Sequence, residues 1–218
     1  LHQESAAAFS QPKSSRRAGL AQDMFNETNG LLELLGKLSS QLANSVKLED
    51  SFFDQLMQMK QLAWVVRNAG GDSSVLISNL LGGQPLPADA LLKYTASVSK
   101  TETAWAALED LVAGLPLPAR MAEAIQKAKQ EYFSPDYTEL RSRTLKMLIA
   151  GEKVSIPQAD WSRMSVAKLA SLLAVAEVSL QVAKDYAAEQ RSSALRNLIA
   201  QLSLLVLALA MTAWIQLL

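Results

Sequence analysis

The last 21 residues of the chain, 198–218 (LIAQLSLLVLALAMTAWIQLL), carry no charge, no glycine and no proline. As a helix such a run is about 31 Å long, close to the thickness of a bilayer's hydrocarbon core, and it predicts a membrane span. Its polar side chains, Gln201, Ser203, Thr212 and Gln216, are uncharged. A helical hydroxyl can bond back to its own backbone, so none of them forbids insertion. Trp214 suits an interfacial belt position near the far end. The competing expectation is a very apolar last helix of a soluble bundle, although buried core segments are usually shorter than this one.

A span at the end makes everything upstream a tethered domain. The chain opens on Leu1 rather than Met, which predicts a piece of a longer protein. Arg191 and Arg196 precede the apolar run. Taken alone they favour a cytoplasmic domain, but the charge rule compares two flanks.

Composition excludes several function classes. The chain has 218 residues, 50% hydrophobic and 6% aromatic, enough for one elongated helical domain or two small ones. Its 21 basic and 21 acidic residues balance, and nucleic acid is not the expected partner because phosphate binding needs a basic excess. With no cysteine there is no disulfide, thiolate nucleophile or cysteine metal site. His2 is the single histidine and falls in a polar segment, so histidine-based catalysis and metal binding are not expected. No cofactor and no enzymatic activity are expected.

Residues 1–19 are polar and rich in small residues, and they predict a flexible tail or a frayed helix end. From residue 20, Met24, Thr28, Leu31, Leu35, Leu38, Leu42 and Val46 repeat at intervals of 3 and 4 and predict a first helix to about Lys47. Phe52, Leu56, Met59, Ala63, Val66, Gly70, Ser73, Ile77 and Leu80 form a second, longer seam that ends at Gly82 and Gly83. After the breaker GGQPLP, a third helix presents Leu91, Tyr94, Val98, Thr101, Trp105, Leu108 and Val112. A fourth segment, about 118–150, carries a Ser134-Pro135 pair that predicts a kink or restart, with Gly151 as its cap.

Between Pro157 and the C-terminus neither glycine nor proline occurs, so a fifth helix from about Asp160 can run unbroken into the membrane. Its soluble part repeats Ser165, Leu169, Leu172, Ala176, Ser179, Ala183 and Tyr186. The expected fold is all-α: an elongated up-and-down antiparallel bundle whose long C-terminal helix continues into a transmembrane segment. The expected organisation is a tail at 1–19, a bundle at 20–197 and a membrane helix at 198–218.

Three stretches carry a family resemblance: 61–83 (QLAWVVRNAGGDSSVLISNLLGG), 132–140 (YFSPDYTEL) and 151–173 (GEKVSIPQADWSRMSVAKLASLL). Together they resemble the helical extracytoplasmic sensor domains of bacterial transmembrane receptors, of the nitrate/nitrite-sensing or chemoreceptor ligand-binding type. The resemblance is loose and rests on patterned hydrophobics and a few marker residues. It implies a ligand-sensing domain in front of a chemoreceptor, histidine kinase or diguanylate cyclase output. It also implies a periplasmic position on the inner membrane and homodimerisation.

For the ligand site, Arg67 follows Trp64 on an otherwise apolar helix face and precedes Gly70 and Gly71, where backbones can approach closely. Its planar fork suits a carboxylate or an oxyanion, so the expected ligand is a small anion. The bland reading is an arginine reaching along the helix edge to solvent. Arg163 beside Trp161, and Arg141 and Arg143, are further guanidinium candidates, while Tyr132, Phe133 and Tyr137 read as packing. The alternative function is a membrane-tethered structural or adaptor bundle with no small-molecule ligand.

Overall fold

The computed structural model describes residues 2–12, 15–45 and 50–217, and the expected helix positions Val46 and Lys47 lie outside them. Among the described residues there are seven helices and no strand: α1 (His2–Phe9), α2 (Leu20–Ser45), α3 (Ser51–Leu81), α4 (Ala90–Val112), α5 (Ala119–Tyr132), α6 (Pro135–Ile149) and α7 (Gln158–Leu217). They form two compact units, Leu1–Asp50 and Ser51–Leu218. The boundary read from the sequence after Gly19 falls inside the first unit.

In the first unit, the segment read as a tail contains the helix α1. Arg17 pairs with Glu4 of α1 at 2.7 Å and with Asp23 of α2 at 2.8 Å. Both pairs are half exposed and contribute little on their own. The leucine stripe of α2 is solvent-exposed at Leu31, Leu35, Leu38 and Leu42. Its periodicity is helical, but the described residues do not bury it.

The second unit is organised around α3 and α7. The α3 seam is the buried one: Leu56, Met59, Ala63, Val66, Gly70, Ser73 and Ile77 all face inward. Ala63 and Val66 pack with Leu169, Leu172, Val175 and Ala176 of α7 and with Trp105 and Leu108 of α4. Leu56 and Met59 share a second cluster with Val182 and Ala183 of α7 and Met121 of α5. A third cluster joins Ile77, Leu145 of α6 and Trp161. Burial of these side chains at about 25 cal/mol per Å² of apolar area is the main stabilising term. On α4 the inner face is Thr101, Trp105 and Leu108, whereas the expected Leu91 is exposed.

Helix ends follow local chemistry. α3 stops because Gly83 takes a positive φ of 83°, which lets Gln84 N–H donate to the Asn79 carbonyl at 3.0 Å. Ser134 caps α6, accepting from the Tyr137 N–H at 3.4 Å, and Pro135 occupies the first turn, where no donor is needed. Gly151, at φ 71°, closes α6 as Glu152 N–H donates to the Met147 carbonyl at 2.9 Å. The residues from Gln158 to Leu217 are a single helix of 60 residues.

Adjacent glycines on α3 differ in what surrounds them. A Cβ at Gly70 would fall 2.9 Å from Tyr132 Cζ and closer still to its hydroxyl, whereas one at Gly71 would meet only Arg67 Nη1 at an ordinary 3.6 Å. Overpacking costs about 1–3 kcal/mol, against about 1 kcal/mol gained in helix propensity over glycine. Gly70→Ala is therefore expected to lose about 1 kcal/mol net and Gly71→Ala to gain up to about 1 kcal/mol in denaturant unfolding. Equal effects at the two positions would contradict this packing.

Candidate functional site

The α5–α6 break places two tyrosines around a buried cation. Tyr137, Arg141, Thr144 and Leu145 form the inward stripe of α6, and Arg141 is only 3% exposed. Its Cζ lies 4.5 Å from the ring centre of Tyr132 and 4.9 Å from that of Tyr137. Cation–π attraction to the two rings offsets part of the cost of burying the charge. Nη1 donates to the Tyr132 hydroxyl at 2.6 Å, Nη2 reaches Thr138 Oγ1 at 3.5 Å, and Nε has no partner. Among the described residues no carboxylate forms an ion pair with Arg141.

Helices α3 and α7 close the other sides. Gly70 leaves room for the Tyr132 hydroxyl, and the neighbouring Ser73 hydroxyl donates to the Gly70 carbonyl at 2.8 Å. Trp161, fully buried at the start of α7, donates its indole N–H to the Ser74 carbonyl at 3.0 Å, and its ring stacks on Tyr137 with centroids 6.5 Å apart. The Ser74 and Tyr137 hydroxyls are close enough to influence one another, yet each lacks a hydrogen bond of good geometry.

Burial pushes the Tyr137 phenol up to about 12, opposed first by the Ser74 hydroxyl and more weakly by the Arg141 charge. The Tyr132 phenol is also raised, by burial first. Both therefore stay protonated at neutral pH. Beside the cluster is an open hollow of about 850 Å³, lined by Glu102 of α4 and by Phe133, Thr138, Ser142, Arg143 and Lys146. Thr138 belongs to both, lining the hollow and touching Arg141.

The residues singled out from sequence are dispersed. Gly70 is in the buried cluster, against Tyr132. Arg67 and Trp64 are half-buried one turn or more earlier on α3. Arg67 Nη1 donates to the Asn68 amide oxygen at 3.3 Å. Its charge also acts on Asp72, whose carboxyl is raised by burial and lowered by Lys100 and Arg67. Gly71 adjoins Arg67. Arg163 is at the surface, its side chain 82% exposed, 3.5 Å from Asp160. The sequence did hold a signal for Arg141: it lies four residues after Tyr137 and four before Leu145, on the one apolar stripe of its helix.

Among the described residues no group of histidine, cysteine, aspartate and glutamate side chains could hold a metal ion. Comparison with protein-family models, curated proteins and solved structures finds no match to this chain.

A tyrosine that is harder to ionise when folded contributes stability below its unfolded value of about 10, and this is lost as pH rises toward about 12. Two units correspond to about 3 kcal/mol. Alkaline titration of phenolate absorbance should show one tyrosine ionising near 12 that disappears in Tyr137→Phe, whose stability should also fall less steeply above pH 10. Ionisation of Tyr137 near its unperturbed value would contradict its burial.

Proposed function

We propose that the chain is the extracytoplasmic ligand-sensing domain of a transmembrane signal-transduction receptor, anchored in the inner membrane with its helical domain in the periplasm. The observation that carries this reading is the continuity of α7. Its first half lies in the core through Trp161, Leu169, Leu172 and Ala176, whereas its last part exposes Leu198, Leu202, Leu205, Leu209 and Trp214. Among the described residues, the stretch Gln158–Leu209 is the one long and apolar enough to cross a membrane, judged by length and composition. A helix that is apolar on all sides and exposed calls for an apolar surrounding, which lipid supplies.

The rest of the architecture fits such a relay. Helices α3, α4, α5–α6 and α7 form an up-and-down antiparallel bundle, supported by the pairing of the start of α3 with the soluble end of α7 and of the end of α3 with Trp161. The ligand is a small anion, and two chains pair through their rods. The buried positions on α7 are mostly small, including Ser165, Ala176, Ser179 and Ala183. Neighbouring helices can shift along such a stripe by about 1–2 Å without expelling large side chains. The adaptor reading keeps one observation in its favour, the exposed leucine stripe of α2.

Two experiments test the proposal. Cysteine placed at the exposed Ser99 should react with an impermeant thiol reagent in intact spheroplasts. Labelling only after lysis would overturn the orientation. In a chimera that joins residue 218 to the signalling half of a chemoreceptor, Ala188→Pro should leave ligand binding intact and abolish the ligand-dependent change in kinase output. The proline removes a backbone hydrogen bond and clashes with the preceding turn, at about 3 kcal/mol. A normal response would show that the signal does not pass through α7.

A further inference from the structure

We infer that Arg141 is the anchor of a binding site for a short organic carboxylate, reached from the hollow beside α6. The guanidinium has five N–H donors, and their use is uneven. The Nη1 corner is taken by the Tyr132 hydroxyl at 2.6 Å, while Nε is buried without a partner and Nη2 has only a long 3.5 Å contact to Thr138. The free edge is therefore Nε with Nη2, the side of a guanidinium whose two parallel donors match the two oxygens of a carboxylate.

The surroundings supply a further donor, and among the described residues no carboxylate is ion-paired to Arg141. The Tyr137 hydroxyl, buried beside Arg141 and close to the Ser74 hydroxyl, makes no hydrogen bond of good geometry and stays protonated at neutral pH. A buried charge without a counter-ion is costly, and buried polar groups are nearly always satisfied. An anion at this edge answers both groups at once. The two tyrosine rings, with centroids 5.6 Å apart, flank the guanidinium from one side and do not sandwich it, so they leave the Nε–Nη2 edge to a planar ligand.

Arg141 does not itself line the 850 Å³ hollow, so a ligand enters from it by displacing Thr138, which lines the hollow and touches Nη2. Glu102, at the hollow's rim, acts electrostatically on Tyr132 and forms no ion pair with Arg141. With Glu139 and Glu152 it outweighs Arg143 and Lys146 in the lining of the hollow, and this net negative lining favours small monovalent ligands over multiply charged ones. A short monocarboxylate such as acetate or pyruvate has the required edge, charge and size.

Binding here supplies the ligand class of the sensing reading and rests on that reading for its purpose. Binding itself is measured with no output attached. The full chain in zwitterionic nanodiscs should be titrated at neutral pH with acetate and pyruvate, and separately with nitrate and phosphate, at constant ionic strength in chloride. Saturable binding of acetate or pyruvate is expected. It should weaken about tenfold in Arg141→Lys, which keeps the charge and loses the planar edge, and about threefold in Tyr137→Phe. It should tighten in Glu102→Gln and be unchanged in Arg67→Gln.

Absence of saturable carboxylate binding overturns the site, as does equal affinity in Arg141→Lys. Binding of nitrate or phosphate without carboxylates overturns the ligand class. If Arg141→Lys does not fold, Tyr137→Phe and Glu102→Gln decide, and unchanged affinity in both overturns the site. Carboxylate binding that depends on Arg141 but leaves the chimera's kinase output unchanged supports the site and sinks the sensing reading instead.

Discussion

The larger unit depends on one packing interaction, the contact of α7 with α3. Leu56, Met59, Ala63 and Val66 of α3 cluster with Leu169, Leu172, Val175, Ala176, Val182 and Ala183 of α7, with α4 and α5 completing the clusters. The side chains at the contact are small or medium in size, so the axes can approach closely and the interaction is spread over many weak contacts. Trp161 fixes the beginning of this contact by a directional bond to the Ser74 carbonyl. Because α7 is unbroken beyond the core, whatever alters its packing on α3 also displaces its far end.

The same packing produces the buried cation. Gly70 admits Tyr132 against α3, Tyr132 then holds Arg141, and Trp161 covers Tyr137 from α7. Three helices thus converge on a guanidinium that a hydrocarbon side chain would replace without loss of an ion pair. Buried charges of this kind are weak contributors to stability. A ligand on Arg141 would act on the α3–α7 contact through Tyr137 and Trp161, and it would shift that contact only as far as its affinity differs between two packings.

Much of the helical framework was legible because it depends on local chemistry. The α3 and α7 seams recur at intervals of 3 and 4, and those positions are the buried ones from Leu56 to Ile77 and from Ser165 to Ala183. Glycine and proline marked the ends of α3 and α6 through φ freedom and a missing donor. What failed depended on partners in space. The α2 stripe has the same periodicity as α3 and yet is exposed, since spacing describes a face and not what covers it. Leu91 is exposed for the same reason.

The candidate site was less legible. Arg67, beside Gly70 and Gly71, drew attention by its apolar neighbours in sequence, but it is half-buried, with Asn68 and Asp72 near it. Arg141 sits between Leu140 and Ser142 in a largely charged stretch, and its burial follows from α6 turning its Tyr137 stripe inward after the Ser134-Pro135 restart. Sequence neighbours misled where helical neighbours would have served.

The central claim is that a single helix leaves the protein core and enters lipid without a break. It is tested most directly by a nitroxide scan along α7 from Ala187 to Trp214 in nanodiscs, comparing collision with oxygen and with a water-soluble nickel complex. A continuous helical period of about 3.6 residues is predicted throughout, with oxygen access overtaking nickel access near Leu198 and staying high to Trp214. Nickel access that persists through Leu205, or a loss of periodicity between Ala187 and Leu198, would contradict it.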